Sequence, residues 1–437
     1  MNQLLRAFRA SFHSRSDGAR IAVLAFAALV GLTAPTQAGL KIIRNPTNGI
    51  GGTPPPNLAG GGNLIEIFNQ AADYWEMAFP DPNQDWNLEL EFRWDPLGGN
   101  DGTLSAQFTA RTFGGEPRRI QSGLITFLNN GAAHFFADPH PATNSAYSLV
   151  KLDGAFAIFP SSPSEDVFLN VGISFKNPIN PDAIDHFDLL TTAMHEIGHG
   201  LGLAAAPPDW VLPNDIIISS AVSTRYDGAL INYQLGAQEH LDYPSVMHGY
   251  FYSDERRLPS VRDILAIAQV SHYDRPFLSP YMEVIISGLE LPPGLKNALQ
   301  TKLQKSRAHL AAGNRNAAKN LLNAFIDQVN DNPGGRLDQD QLDNLVSMAE
   351  LRIDSIDNPP PGEQNDIHST PLGEQKVNDN TAPGKQNDAL NTPPLPGIAA
   401  CGTVSAGLLP LSLIGFAHMR GDMRTRRQRG RSEVESG

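Results

Sequence analysis

The chain has 437 residues, 41% of them hydrophobic and 18% charged, which suits one large globular domain with smaller attachments. Its single cysteine, Cys401, excludes an internal disulfide framework. The formal net charge is −13; the first 38 residues contribute +3 and residues 398–437 another +3, which leaves −19 for residues 39–397. Such a surface repels nucleic acid and anionic membranes, so neither is an expected partner of that stretch.

Residues 1–38 read as a secretory signal. Arg6, Arg9, Arg15 and Arg20 precede an apolar run at 21–32, and Thr36, Gln37 and Ala38 offer a cleavage site before Gly39. A retained membrane helix is the alternative, but so short an apolar run crosses a bilayer poorly. After a Gly/Pro-rich lead, Leu64, Ile67, Phe68, Ala71, Tyr74, Trp75 and Ala78 recur at helical intervals and predict an amphipathic helix over 63–79, ending before Pro80. Leu88, Leu90, Phe92 and Trp94 alternate with polar residues, and 120–128 and 167–175 are rich in β-formers, so three strands are expected to form a sheet on that helix. A second helix is predicted over 187–202 and a third over 260–270, where Ser260 and Asp263 have capping-box spacing. The stretch between them is expected to be mostly irregular.

From 295 to 356 the pattern changes to three short amphipathic helices, broken at Gly313 and Asn314 and at Pro333, Gly334 and Gly335. This predicts a separate all-α module at 290–356. The string LNAFIDQV at 322–329, followed by Leu337 and a closing helix, resembles the FIMAH domain appended to secreted bacterial proteins; the resemblance implies an accessory, noncatalytic role. Residues 357–397 carry an 11-residue repeat, with Gly362, Gly373 and Gly384 each followed two positions on by Gln, and so much Pro, Asn and Gln that a flexible spacer is expected. Residues 398–419 form an uncharged, mostly apolar segment followed by six arginines in the basic tail, 420–437. That length can span a membrane with the tail in the cytoplasm. Cys401 and Gly402, the apolar run and the arginines together resemble the tripartite sorting signals of bacterial surface proteins, so the segment is read either as an anchor or as a processed signal. Either way the protein is expected at the bacterial cell envelope, or released from it.

The chemistry lies in the second helix, where His195, Glu196, Ile197, Gly198 and His199 follow one another. Two imidazoles four residues apart share a helical face and can reach one zinc ion, with Glu196 beside the open coordination position as a general base. Extended to HEIGHGLG at 195–202, the string resembles the active-site helix of the metzincin metallopeptidases. The resemblance implies a third histidine three residues after Gly202, yet that position is Ala205. Two histidines alone hold zinc weakly, so a third ligand must come from elsewhere or the site is inactive. The string DYPSVMH at 242–248 resembles the Met-turn that metzincins place beneath the zinc. In the leishmanolysin group an insertion separates the glycine from a third histidine that still precedes this turn, and His240, seven residues before Met247, fits that order. Asp209 and His248 remain alternative ligands.

The resemblance thus implies an α+β, zincin-like catalytic domain over 39–280, with a twisted mixed sheet, a backing helix and the zinc helix in a cleft. No cysteine is placed to cap the zinc from a propeptide. Tyr250 either donates a hydrogen bond to the oxyanion, as a nearby tyrosine does in some metzincins, or is a core residue. His134, Asp138 and His140 are candidates for a second, structural metal, or are idle loop residues. The expected function is that of an exported, monomeric zinc endopeptidase acting on protein or peptide substrates. The rival readings are a catalytically inactive surface binding or adhesion protein of the same fold, and a display protein whose helical module is the working part.

Overall fold

The chain begins its fold with β1, Leu40–Pro46, and the first helix, α1, Leu64–Ala78. The computed structural model describes residues 39–358 apart from 50, 82–83, 97–105, 116, 163–166, 205–215, 235–236 and 332–333. The expected signal at 1–38, all but the first two residues of the spacer, the segment at 398–419 and the tail lie outside the described residues, as do Ala205 and Asp209. Among the described residues no helix is long and apolar enough to cross a membrane.

Helix α1 is capped by Asn63, whose side chain accepts from the Glu66 amide at 3.0 Å, and all seven of its predicted apolar positions are buried. Its partner is a four-stranded mixed sheet in the order β1-β2-β4-β3, formed by β1 with β2 (Trp86–Asp95), β3 (Ala106–Gly114) and β4 (Arg119–Leu128). Strands β1, β2 and β4 run parallel, and β3 closes the edge antiparallel to β4. The period-2 pattern of β2 turns Leu88, Leu90, Phe92 and Trp94 inwards, where Phe92 stacks on Phe68 of α1 with ring centroids 3.9 Å apart. Helix α2, Leu189–Gly200, lies on the same sheet, with Gly200 close to Leu88, Leu90 and Phe108. All of its residues are buried, so it crosses the core. It starts two residues later than predicted, because Phe187 and Asp188 form the short strand β8, which pairs with β5, Phe135–Phe136.

A second sheet is antiparallel, with β7 (Phe168–Pro178) between β6 (Tyr147–Phe156) and β13 (Arg256–Leu258). Between α2 and β13 the described residues are mostly irregular, as expected, and form among them only the short pairs β9 (Ile216–Ile217) with β10 (Leu230–Ile231) and β11 (Tyr233–Gln234) with β12 (Ala237–Leu241). Helix α3, Val261–Val270, has the predicted capping box of Ser260 and Asp263 and packs on β7.

Four helices follow: α4 (Met282–Gly288), α5 (Pro293–Ala311), α6 (Arg315–Asp331) and α7 (Gln339–Asp357). The last three lie where the sequence predicts them, but they are not set apart from the rest. Helix α7 packs on β6 and β7, and its docking is fastened by a buried pair in which Asn170 Nδ2 donates to Asn344 Oδ1 at 2.6 Å. Arg225 pairs with Glu350 at 2.8 Å beside it. The apolar stripe of α7, including Leu345, Met348, Ala349 and Ile356, is thereby buried.

Candidate metal centre

Three histidines meet at the C-terminal end of α2. His195 and His199 lie one turn apart on that helix, and His240 reaches them from β12. The ring centroids are 4.6 Å apart for His195 and His199, and 5.2 Å from each to His240. One ligand nitrogen from each ring lies within 4.8 Å of the others, and among the described residues no other group of three ligating side chains comes so close together.

The hydrogen bonds decide what these rings can do. His195 Nδ1 lies 2.9 Å from the Val246 carbonyl, and His199 Nδ1 bonds the Leu203 carbonyl. A carbonyl only accepts, so both Nδ1 atoms carry the proton, and each Nε2 is left with a lone pair. Those two Nε2 atoms are 3.0 Å apart. Two acceptors at that distance repel each other unless a cation lies between them. Two nitrogens bound tetrahedrally at about 2.0 Å are separated by roughly 3.3 Å, so the spacing fits a shared metal ion. In His240 the Nδ1 atom is buried and has no hydrogen-bond partner. Burial, reinforced by His199 and His240, pushes the pKa of His195 well below the ordinary histidine range, while burial and then His199 and His248 lower that of His240 to about 3. His195 and His240 therefore offer lone pairs to a metal at neutral pH. Glu196 follows His195 on α2 and is buried.

Residues 242–248 form a turn that packs against α2. Met247 is fully buried, and its sulfur occupies the space a side chain at Gly198 would need, 2.2 Å from an ideal Cβ there. The turn is tied to all three histidines. Val246 supplies the carbonyl on His195, Gly198 lies next to His199, and the Met247 carbonyl accepts from the Leu241 amide at 2.9 Å, beside His240. After α2 the chain turns at Gly202, whose φ of +125° is one that side-chain-bearing residues rarely adopt.

The remaining candidates are placed elsewhere. His248 is outside the cluster, with Nδ1 3.1 Å from the Tyr250 carbonyl. Tyr250 is 61% exposed, which overturns the core-tyrosine reading, and stands beside His248. Asp138 has a different task from metal binding: its Oδ2 takes a hydrogen bond from Arg256 at 2.8 Å and its Oδ1 one from the His140 amide at 2.8 Å. Arg256 is completely buried and also grips Asp188 at 2.9 Å, the residue that caps α2 by accepting from the Thr191 amide. Burial opposes the guanidinium charge, but these carboxylates outweigh it and raise its pKa. Sequence reasoning missed this cluster; the run Glu255-Arg256-Arg257 was its one visible trace.

No family model matches the chain, and comparison with curated proteins and solved structures gives no significant match.

Proposed function

We propose that the protein is a zinc-dependent endopeptidase of metzincin type, with His195, His199 and His240 as the metal ligands and Glu196 as the general base. The observation that carries this reading is the convergence of three imidazoles, two with their Nε2 atoms facing each other, beside a buried glutamate. Three nitrogen donors leave the open coordination position of a catalytic rather than a structural zinc site. Zinc held there would polarise the scissile carbonyl and lower the pKa of water towards neutrality. Glu196, which is not one of the clustered ligands, takes the water proton and returns it to the leaving amine. The Val246 and Leu203 carbonyls keep the first two rings in one tautomer and one orientation, so the site does not have to organise itself when metal arrives.

The test is zinc content and casein hydrolysis of the purified protein. Glu196→Ala should keep one zinc per chain and lose at least about a hundredfold in activity, the usual range for a proton-transfer group. His240→Ala should lose metal and activity together, while His248→Ala keeps most of both. Full activity in Glu196→Ala removes the mechanism; tight zinc binding in His240→Ala removes the ligand assignment.

A further inference from the structure

We infer that the helical module is part of the metal centre's scaffold, and that Asn344 on α7 is a positioning residue for the metal ligands. This rests on reading the three histidines as a metal site, but it concerns residues more than a hundred positions downstream. The link is a continuous line of buried polar contacts. Asn344 is fully buried; its Oδ1 accepts from Asn170 Nδ2 at 2.6 Å, and its own amide nitrogen donates to the Asp340 carbonyl at 2.7 Å. Asn170 on β7 is 1% exposed, and Asn344 is the nearest of three acceptors that fix which way its amide faces. With Nδ2 turned to Asn344 and to the Asp153 and Gly172 carbonyls, Oδ1 is turned to the Val261 amide at 3.3 Å. Val261 opens α3, directly after the capping residue Ser260.

The α3 cap is itself joined to the turn beneath the histidines. Asp263 Oδ2 accepts from the Ser260 amide at 2.7 Å and from its hydroxyl at 2.6 Å. Its other oxygen, Oδ1, accepts from the Ser245 hydroxyl and, at 3.4 Å, from the Met247 amide, which also donates to Ser245 Oγ at 2.8 Å. One carboxylate thus holds both the start of α3 and the turn whose Val246 carbonyl orients His195. Every side chain along the line is buried, where an amide that loses its partner cannot be rescued by bulk water. Removing the Asn344 carbonyl takes away the shortest of the three contacts that hold the Asn170 amide nitrogen, which slackens its Oδ1 against the Val261 N–H and loosens the start of α3.

The experiment compares Asn344→Leu with Glu350→Ala in the full-length protein. Both lie on α7 and weaken its docking, but Glu350 pairs with Arg225 and not with the line to the turn. Zinc affinity is measured by competition with a chromogenic chelator, and the visible spectrum of the Co2+ form reports ligand geometry. Asn344→Leu should weaken zinc binding about tenfold, the low end of what supporting partners of metal ligands contribute, and alter the Co2+ bands. Glu350→Ala should leave both within twofold of wild type. Equal zinc affinity in the two variants overturns the inference. If Asn344→Leu does not fold, Asn344→Ala, which leaves room for a water, is read in the same way. Absence of zinc binding in the wild-type protein would instead reject the metal site itself, so the two failures are distinct.

Discussion

Gly198 sits in the middle of α2, where alanine would ordinarily favour the helix by about 1 kcal/mol. Here the added methyl would meet the Met247 sulfur at 2.2 Å and Trp75 at 3.4 Å. Gly198→Ala should therefore destabilise the protein by about 1–3 kcal/mol, the cost of overpacking a closed core. The double variant Gly198→Ala/Met247→Ala should regain part of that loss, a non-additivity read from denaturant midpoints. A second prediction concerns protons. The pKa of His240 in the fold is about 3 against an ordinary value of 6.5, so below pH 6.5 the unfolded chain takes up a proton that the folded one refuses. The share of the metal-free protein's stability that depends on His240 staying neutral is then complete above about 6.5 and is lost as pH falls towards 3. His240→Gln should lose less stability than wild type between pH 6.5 and 5, measured by thermal unfolding in chelator. His195, Glu196 and His199 were legible because their spacing is local and the helix supplies their geometry. His240 was legible only through its order ahead of Met247. Asn170 and Asn344 were not legible at all, since each is an ordinary polar residue until a partner 174 positions away gives it meaning.

At the scale of elements, helix α2 is anchored at its start by charge as much as by apolar contact. Arg256 on β13 binds Asp188, Asp138, the Thr143 carbonyl and Asn144, and its guanidinium lies 5.2 Å from the Tyr147 ring centroid. Replacing one member leaves the others charged and buried, so Arg256→Ala should cost about 3–5 kcal/mol in chemical denaturation. A loss below about 1 kcal/mol would show that water reaches the carboxylates. Six of the seven described helices were predicted closely because their apolar positions recur at helical spacing and, before α3, the Ser260 cap is visible; the short helix α4 was missed. Strand β3 was missed because it is an edge on which only Ala106 is buried and the rest are half-buried or exposed, so its alternation carries little hydrophobic contrast. Strand β1 is short and runs into a Gly/Pro-rich segment, and β6 carries Asp153 and Gly154 at a register shift that breaks its alternation.

At the scale of the molecule, the all-α region was expected to be a separate accessory, and its docking on β6 and β7 changes what truncation does. Composition could not reveal this, because a helix face that packs on its own bundle and one that packs on a sheet look alike in sequence. If residues 39–358 unfold as one cooperative unit, two probes must agree. The tryptophans all precede residue 290, whereas much of the helix lies after it. Near-ultraviolet and far-ultraviolet circular dichroism should therefore give the same midpoint; a helical transition at a distinctly lower temperature would mean that the module melts alone.

Trp75 has a practical consequence of its own. Its indole is fully buried and donates to the Met194 carbonyl at 2.9 Å, under the turn of α2 that carries the histidines. The molecule thus holds a fluorophore against the helix that carries His195 and His199. Emission from this residue should lie at the blue end of the tryptophan range, and Cu2+ taken up by the imidazoles should quench it at one equivalent. That quenching should vanish in Trp75→Phe and survive in Trp94→Phe, which allows metal occupancy to be followed by light emission without any substrate.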